Sequence, residues 1–232
     1  MQIHGFNKLT LLDYPEKLAA TVFTGGCNFR CPFCHNATLV LNPSAQPLIA
    51  EDDVIKELAA RRDKLEGVCI TGGEPTLNSD LPDFIAKIRD LGYKVKLDTN
   101  GSNPQMLDRL IREGLLDHIA MDIKSSPAGY AKATGLKNLS MDDIFRSVDL
   151  IMQGELDYEF RTTVVEGIHT INDFLQIAVW IKGARAYYLQ QYKDSGDLIA
   201  PEGLSAPSKK TLESYRAALQ IYIPNTYIRG VD

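Results

Sequence analysis

The sequence predicts an α/β fold in which six parallel strands alternate with helices and curve into a partial (β/α)6 barrel. The first observation is a set of glycines that each follow a segment with helical apolar spacing and precede a short apolar run: Gly67, Gly92, Gly114, Gly154 and Gly183. The second is that most of these runs are apolar at successive positions, which is typical of strands covered on both faces. Strands that alternate with helices form parallel units with right-handed crossovers, and eight such units would close a complete barrel.

The predicted strands follow one another along the chain. They are LAATVFT at 18–24, VCIT at 68–71, YKVKLDT at 93–99, LLDHIAMDI at 115–123, LDYEFRTTVV at 156–165 and ARAYYLQQY at 184–192. Apolar residues at helical spacing predict helices between them. The clearest helical faces are Leu81, Phe84, Ile85, Ile88 and Leu91, and then Ile144, Phe145, Val148 and Ile151.

Helix ends are marked as well. A glycine just past a helix takes the left-handed conformation at little cost, so each of the glycines above is a predicted helix stop. Ser140 with Asp143, and Thr170 with Asp173, have the spacing of a helix-capping residue and its acidic partner. These two pairs therefore predict helix starts.

A chain of 232 residues can bury a sizeable core as one unit. We expect a single domain over 1–232, with a lead-in at 1–17, six β/α units at 18–200, and a C-terminal helix and tail at 201–232. The longest connection, KSSPAGYAKATGLKN at 124–138, follows the fourth strand. Connections of this length are often functional, although a tolerated surface insertion is an alternative.

The composition is that of an ordinary globular protein, with 44% hydrophobic and 24% charged residues. The net charge of −5 argues against nucleic acid or an anionic membrane as the main partner. The first residues lack a basic segment followed by an apolar run, and no stretch reaches the ~18 apolar residues of a membrane span. We therefore expect a cytoplasmic protein, in which clustered cysteines are more often metal ligands or catalytic thiols than disulfides.

Polar groups gather where the predicted strands end. In strand order these groups are the cysteines of TGGCNFRCPFCHN at 24–36, GGEP at Gly72–Pro75, DTNG at Asp98–Gly101, MDIK at Met121–Lys124, Arg161, and Gln190 with Gln191. The carboxyl ends of parallel strands share one edge, which is where α/β barrels build their sites. The sequence therefore predicts one site at this edge.

Three of the four cysteines have the spacing C-x3-C-x2-C: Cys27, Cys31 and Cys34. Thiolates bind iron–sulfur clusters and zinc, and a closed structural site usually needs four ligands. The remaining Cys69 lies inside a predicted strand, where a small buried apolar residue is the expected role. The pattern thus indicates a cluster with three protein ligands and one open position for an exogenous ligand.

Two alternatives for the cysteines stay open. CPFC alone is similar to a thioredoxin-type dithiol, which also follows a strand and opens a helix, but this interpretation leaves Cys27 unexplained. A zinc site could instead take His35 or His4 as its fourth ligand. A non-enzymatic metal-binding or redox module would follow from either alternative.

The segment CNFRCPFC resembles the C-x3-C-x-aromatic-C motif of the radical S-adenosylmethionine (SAM) superfamily, with Phe33 as the aromatic residue. The resemblance implies that Cys27, Cys31 and Cys34 hold three irons of a [4Fe–4S] cluster. It implies that the fourth iron binds the amine and carboxylate of SAM, whose reductive cleavage yields a 5′-deoxyadenosyl radical.

GGEP resembles the glycine-rich strand edge that meets the SAM amino group in the same superfamily. Gly72 and Gly73 would let the ligand approach the backbone, and Glu74 would offer a carboxylate for a cation. Taken alone, the motif could also be a turn.

CHN, DTNG and DIK together resemble the glycyl-radical-enzyme activases within this superfamily. The resemblance makes further residues candidates for SAM contact: His35, Asp98, Asn100, Asp122, Lys124 and Arg161. It implies a monovalent cation near Asp98 and Asp122, with help from Lys124, because carboxylates that face one another repel. A structural set of ion pairs at the barrel rim is the alternative. Lys193 stands near where a histidine often contacts SAM in these activases.

Within the activases, the chain most resembles the activating proteins of anaerobic ribonucleoside-triphosphate reductase, through its DYP lead-in and its IRG near the C-terminus. The expected partners are that glycyl radical enzyme and an electron donor such as flavodoxin or ferredoxin. Residues 1–17 and 124–138 are candidate partner contacts. An activase of a pyruvate formate-lyase type enzyme, or a radical SAM enzyme acting on a small molecule, is the alternative. No second cysteine group provides for an auxiliary cluster.

Overall fold

The computed structural model describes residues 1–231, which include one eight-stranded sheet with its strands in chain order. The strands are β1 (Ile3–Thr10), β2 (Ala19–Thr24), β3 (Gly67–Gly72), β4 (Lys94–Thr99), β5 (His118–Asp122), β6 (Asp157–Val164), β7 (Tyr187–Gln191) and β8 (Thr226–Arg229). Strands β2 to β8 are parallel, and β1 runs antiparallel to β2.

Helices connect the parallel strands and cover the sheet. They are α1 (Ala37–Leu41), α2 (Glu51–Ala59), α3 (Leu81–Asp90), α4 (Pro104–Arg112), α5 (Tyr130–Thr134), α6 (Asp142–Gln153), α7 (Ile171–Trp180) and α8 (Lys209–Leu219). The predicted apolar face of α3 is fully buried at Leu81, Phe84, Ile85 and Ile88. The helical spacing in the sequence therefore identifies the face that packs on the sheet.

The predicted partial barrel is confirmed. The six predicted strands are β2 to β7, each hydrogen-bonded in parallel to the next. The sheet does not close on itself, since β1 and β8 are its two ends. The open arrangement leaves the carboxyl ends of the six central strands as one continuous edge.

Two strands lie where the sequence predicted only a lead-in and a tail. In β1 only Ile3 and Thr10 are buried, and its pairing with β2 has two irregularities, so the segment lacks the alternating pattern that would identify it. β8 has four residues, of which only Thr226 is buried. Of the predicted tail at 201–232, residue 232 lies outside the described residues.

The predicted helix ends are confirmed in part. Gly92, Gly114 and Gly183 have positive φ values as helix stops, whereas Gly154 has a φ of −77° and Gly67 begins β3. The capping box at Thr170 and Asp173 is present. A helix also starts after Ser140, but without the expected capping box: α6 begins at Asp142, whose N–H donates to the Ser140 hydroxyl oxygen.

The long connection at 124–138 is packed rather than loose. It contains α5, in which Tyr130, Ala133 and Thr134 are buried. The Thr134 carbonyl accepts a 2.8 Å hydrogen bond from the N–H of Arg30, between two of the clustered cysteines. The segment therefore supports the cysteine loop. A surface insertion that serves no purpose would not account for this contact.

Within residues 1–231 no helix has the length and apolar character needed to cross a membrane.

Candidate active site

One cavity at the carboxyl edge of the strands collects the predicted site residues. Its lining includes all of the candidate ligands of the cluster and of SAM: Cys27, Cys31, Phe33, Cys34, His35, Gly72, Gly73, Glu74, Asp98, Asn100, Asp122, Lys124 and Arg161. Phe29, Asn36, Val40, Thr71, Thr99, Thr163 and Gln190 complete it. The motifs, which are far apart in the sequence, therefore face a single space.

The three clustered cysteines lie on the loop between β2 and α1. Cys27 Sγ accepts hydrogen bonds from the N–H of Phe29 at 3.3 Å and from Asn100 Nδ2 at 3.7 Å. Burial raises the pKa of Cys27 to about 11 and that of Cys31 to about 12. These thiols become thiolates only beside a strong positive charge, which metal ions provide.

The donor set fits an iron–sulfur cluster. All three thiols are free and line one cavity, and N–H groups aimed at a sulfur are among the protein features that tune such clusters. In the described part of the chain, no three His, Cys, Asp or Glu side chains are placed to hold a single metal ion.

Each histidine proposed as an alternative zinc ligand has one ring nitrogen beside a backbone carbonyl. His35 Nε2 lies 2.7 Å from the carbonyl of Lys193, and its ring stacks on Tyr192 at 6.2 Å between centroids. His4 Nδ1 lies 3.1 Å from the carbonyl of Pro47. Cys69 is fully buried on β3, where it pairs in register with Lys96. The expectation that Cys69 is a buried core residue agrees with this position.

The glycines of GGEP are required by the packing of the cysteine loop. Gly72 has a φ of +113°, and a Cβ there would collide with the backbone of Thr24. A Cβ on Gly73 would collide with the carbonyl of Gly26, one residue before Cys27. The Gly26 carbonyl also accepts a 2.8 Å hydrogen bond from the N–H of Glu74. The motif therefore locks the cysteine loop against the end of β3.

Glu74 is placed differently from the expectation that it offers a free carboxylate. Its side chain is fully buried and accepts hydrogen bonds from Thr76 Oγ1 at 2.6 Å, Thr99 Oγ1 at 2.7 Å and the N–H of Asn100 at 2.6 Å. Burial raises its pKa, and these hydrogen bonds oppose the rise. The carboxylate thus joins the end of β3 to the end of β4, and both of its oxygens accept hydrogen bonds from the protein.

Asp98 and Asp122 are bridged by Arg161. The guanidinium Nη1 lies 3.2 Å from Asp98, and Nε lies 2.9 Å from Asp122. Lys124 lies 3.1 Å from the other oxygen of Asp122, and Lys96 binds the other oxygen of Asp98. Burial alone would raise the pKa of Asp98, but Arg161 and Lys96 outweigh it and hold the value at about 2. Both carboxylates are therefore ionised at neutral pH.

Lys96 and His169 contact residues that line the cavity, and neither was predicted from the sequence. Lys96 precedes Asp98 by two residues, and the two-residue period of a strand could have placed both on one face. His169 accepts at Nδ1 from the N–H of Val165 and lies 2.8 Å through Nε2 from the carbonyl of Lys124. No sequence signal indicates this contact, because it depends on the fold of the β6–α7 loop.

A second cavity adjoins the first. It shares His35, Thr163 and Gln190 with the main cavity, and its other lining residues are Gln191, Lys193, Ser195, Arg229 and Gly230. Arg229 is held by a two-point ion pair with Glu159, at 2.7 and 2.9 Å. The side of the site near β7 and β8 is thus lined by polar and basic groups.

Residues 21–181 match the family model of the radical SAM superfamily, and the chain belongs to that superfamily. Membership implies a [4Fe–4S] cluster and SAM as cofactors, consistent with the thiols and the cavity above. A Methanocaldococcus jannaschii protein, provisionally named a glycyl-radical enzyme activating enzyme, is 30% identical over 99% of this chain and 96% of its own length.

A further relative and one solved structure are similar to this chain. The pyruvate formate-lyase-activating enzyme of Clostridium pasteurianum is 28% identical over 65% of this chain and 64% of its own length. Streptococcus suis SuiB, solved with S-adenosylmethionine, has a TM-score of 0.70 at 14% identity and covers 88% of this chain. This chain corresponds to 48% of SuiB, and the likeness shows the fold alone.

Proposed function

We propose that this protein is a radical SAM activase that generates a glycyl radical on a partner enzyme. The observation that carries the proposal is the single cavity in which three free thiols face the Asp98–Arg161–Asp122 bridge. Similarity to a named activating enzyme over nearly the whole chain supports the same function.

Cys27, Cys31 and Cys34 would hold three irons of the cluster, and the fourth iron would bind SAM. When bound, the two cofactors supply a 5′-deoxyadenosyl radical, and the protein provides positioning and protection. Phe33 is 5% exposed and lies edge-on to the His169 ring at 6.2 Å, so it closes an apolar wall beside the cysteines. This wall would exclude water from the reacting groups.

Arg161 and Lys124 are the groups best placed to bind the SAM carboxylate. Asp98 and Asp122 hold the Arg161 guanidinium from two sides, and Lys124 lies beside Asp122. The backbone edge at Gly72 is fixed because its carbonyl accepts from Asn36 Nδ2 at 2.8 Å. In this arrangement Asp98 and Asp122 orient the positive groups of Arg161 and Lys124. A monovalent cation would need a carboxylate oxygen of these aspartates, and each of those oxygens already binds a lysine or Arg161.

We propose that the acceptor glycine approaches through the second cavity, whose shared residues, Thr163 and Gln190 among them, lead into the first. Anaerobic ribonucleoside-triphosphate reductase is the proposed partner, and flavodoxin or ferredoxin is the proposed electron donor. Leu11 and Leu12 are 70% and 89% exposed, which supports partner contact by residues 1–17. The packing of α5 makes residues 124–138 a weaker candidate for partner contact.

An anaerobic reconstitution tests this function. The protein with its cluster is mixed with a chemical reductant, SAM and the anaerobic reductase of the same cell, and the electron paramagnetic resonance spectrum is recorded. We expect a glycyl doublet on the reductase, and no doublet with the Cys31→Ala variant. Purified protein that holds one zinc and no iron would contradict the proposal.

The same experiment separates the alternatives. SAM cleavage without a doublet would remove this partner, and a pyruvate formate-lyase type enzyme would be tested next. SAM cleavage that no glycyl radical enzyme stimulates would favour a small-molecule substrate.

A further inference from the structure

Five charged side chains form an alternating line at the cavity, and all but Lys96 line it: Lys96, Asp98, Arg161, Asp122 and Lys124. The four carboxylate oxygens are all engaged, Asp98 by Lys96 and Arg161, and Asp122 by Arg161 and Lys124. Three positive groups face two negative ones. The line therefore carries one excess positive charge, which suits it to an anionic ligand group.

Lys96 is the member of this line that lies deepest in the barrel. It is 1% exposed, and its ammonium group binds Asp98 and lies 3.8 Å from Cys69 Sγ. Burial lowers the pKa of Lys96, but the charge of Asp98, the neighbouring Cys69 and the hydrogen bond to Asp98 together raise the value overall. A buried charged lysine is costly, and a buried ion pair is weak evidence of stability, so a role in the site explains its presence better.

The position of Lys96 decides what Asp98 can bind. With one oxygen held by Lys96, Asp98 has only the other oxygen for Arg161. A free metal cation placed between Asp98 and Asp122 would have to displace Lys96, Arg161 or Lys124. The Lys96 ammonium group thus supplies, beside Asp98, the positive charge that a metal cation would otherwise supply.

We propose that Lys96 is a positioning residue that replaces a monovalent cation in the site. It fixes Asp98, and through Asp98 it fixes Arg161, so that the carboxylate of SAM binds without added K⁺ or Na⁺. The inference rests on the proposed function only in taking SAM as the ligand, and it does not depend on the partner enzyme.

The test measures the dissociation constant of SAM for the oxidised protein with its cluster, in which SAM is not cleaved. Titrations are made at constant ionic strength in KCl, NaCl or tetramethylammonium chloride. We expect the wild-type constant to be the same in all three salts. A wild-type affinity that falls more than about threefold in tetramethylammonium chloride would overturn the proposal.

Variants then separate positioning from a structural role. In tetramethylammonium chloride, Lys96→Met should weaken SAM binding by about tenfold or more, because a buried charge is lost near the ligand. K⁺ should restore part of this loss, since Asp98 gains a free oxygen. Decarboxylated SAM, which lacks the anionic group, should bind Lys96→Met and wild type alike. If Lys96→Met lost affinity equally for SAM and decarboxylated SAM, or lost none for SAM, the proposal would be contradicted.

The control is Lys94→Met, which alters an exposed lysine of the same strand that pairs with Asp117. It should bind SAM as the wild type does. Iron and sulfide content and circular dichroism establish that each variant is folded and loaded. If Lys96→Met does not fold, the salt series on the wild type still decides the proposal. Wild-type protein that binds SAM independently of salt but activates no partner would reject the proposed function and leave this inference standing.

Discussion

Individual thiols differ sharply in their surroundings. Cys27, Cys31 and Cys34 line the cavity, whereas Cys69 is buried on β3 beside Lys96. Alanine at any of the first three positions should abolish cluster assembly and SAM cleavage, because one iron loses its ligand. Cys69→Ala should keep the cluster. Iron content and 5′-deoxyadenosine production measure both effects, and cleavage by any of the first three variants would refute the ligand assignment.

His118 should make the stability of the protein depend on pH. Burial, and then the charge of Lys96, lower its pKa to about 4. Between about pH 6.5 and 4 the unfolded chain therefore binds a proton that the folded protein does not, so stability falls as the pH falls. We expect a loss of about 3 kcal/mol across this range relative to His118→Gln. Urea denaturation of both proteins at each pH measures this loss of stability. If the stability of the two proteins changed with pH in parallel, the role of His118 would be disproved.

The sequence predicted which residues line the cavity better than it predicted their contacts. Cysteine spacing and strand-end motifs identified residues that lie around one cavity, although their roles as ligands stay predictions. The role of Glu74 was missed because its partners, Thr76, Thr99 and Asn100, include residues of another strand end. Lys96 was missed although its two-residue spacing from Asp98 puts both on one face of β4, because only the folded barrel shows that the lysine is buried.

At the scale of elements, the turn after β3 holds the cysteine loop. Gly73→Ala should displace that loop, because the added Cβ would collide with the Gly26 carbonyl. We expect a loss of about 2 kcal/mol of stability and most of the bound iron. Gly114→Ala is the control, since its φ is +64° but no atom lies within 4 Å of the added Cβ. It should cost about 1 kcal/mol and keep the iron. Equal iron content in the two variants would contradict this role.

The elements of the central barrel could be predicted because glycine stops and continuous apolar runs repeat through it. The edge strands β1 and β8 could not, since β1 is irregular and buried only at its two ends, and β8 has four residues. The packing of α5 could not be predicted from the sequence pattern either. Its contact with the Arg30 backbone arises only when the cysteine loop is in place.

At the scale of the whole molecule, the cavity joins ends of β2 to β7, so a cluster bound there should stabilise the entire sheet. Ligands that bind only the folded state raise its stability. We expect the cluster-loaded protein to unfold several degrees above the metal-free protein in anaerobic calorimetry. Cys69→Ala should show the same increase. Identical melting temperatures with and without the cluster would contradict the location of the ligands in the folded cavity.

We propose that residues 1–232 act as one domain, since one sheet and one connected apolar core extend through the described residues. The central claim is that this domain takes a hydrogen atom from a glycine of a partner protein. The most direct measurement is isotope transfer, in which the anaerobic reductase carries deuterium at the α-carbon of its glycines. After activation with SAM, mass spectrometry should find one deuterium in 5′-deoxyadenosine. Deuterium-free 5′-deoxyadenosine, formed while SAM is cleaved, would contradict the account.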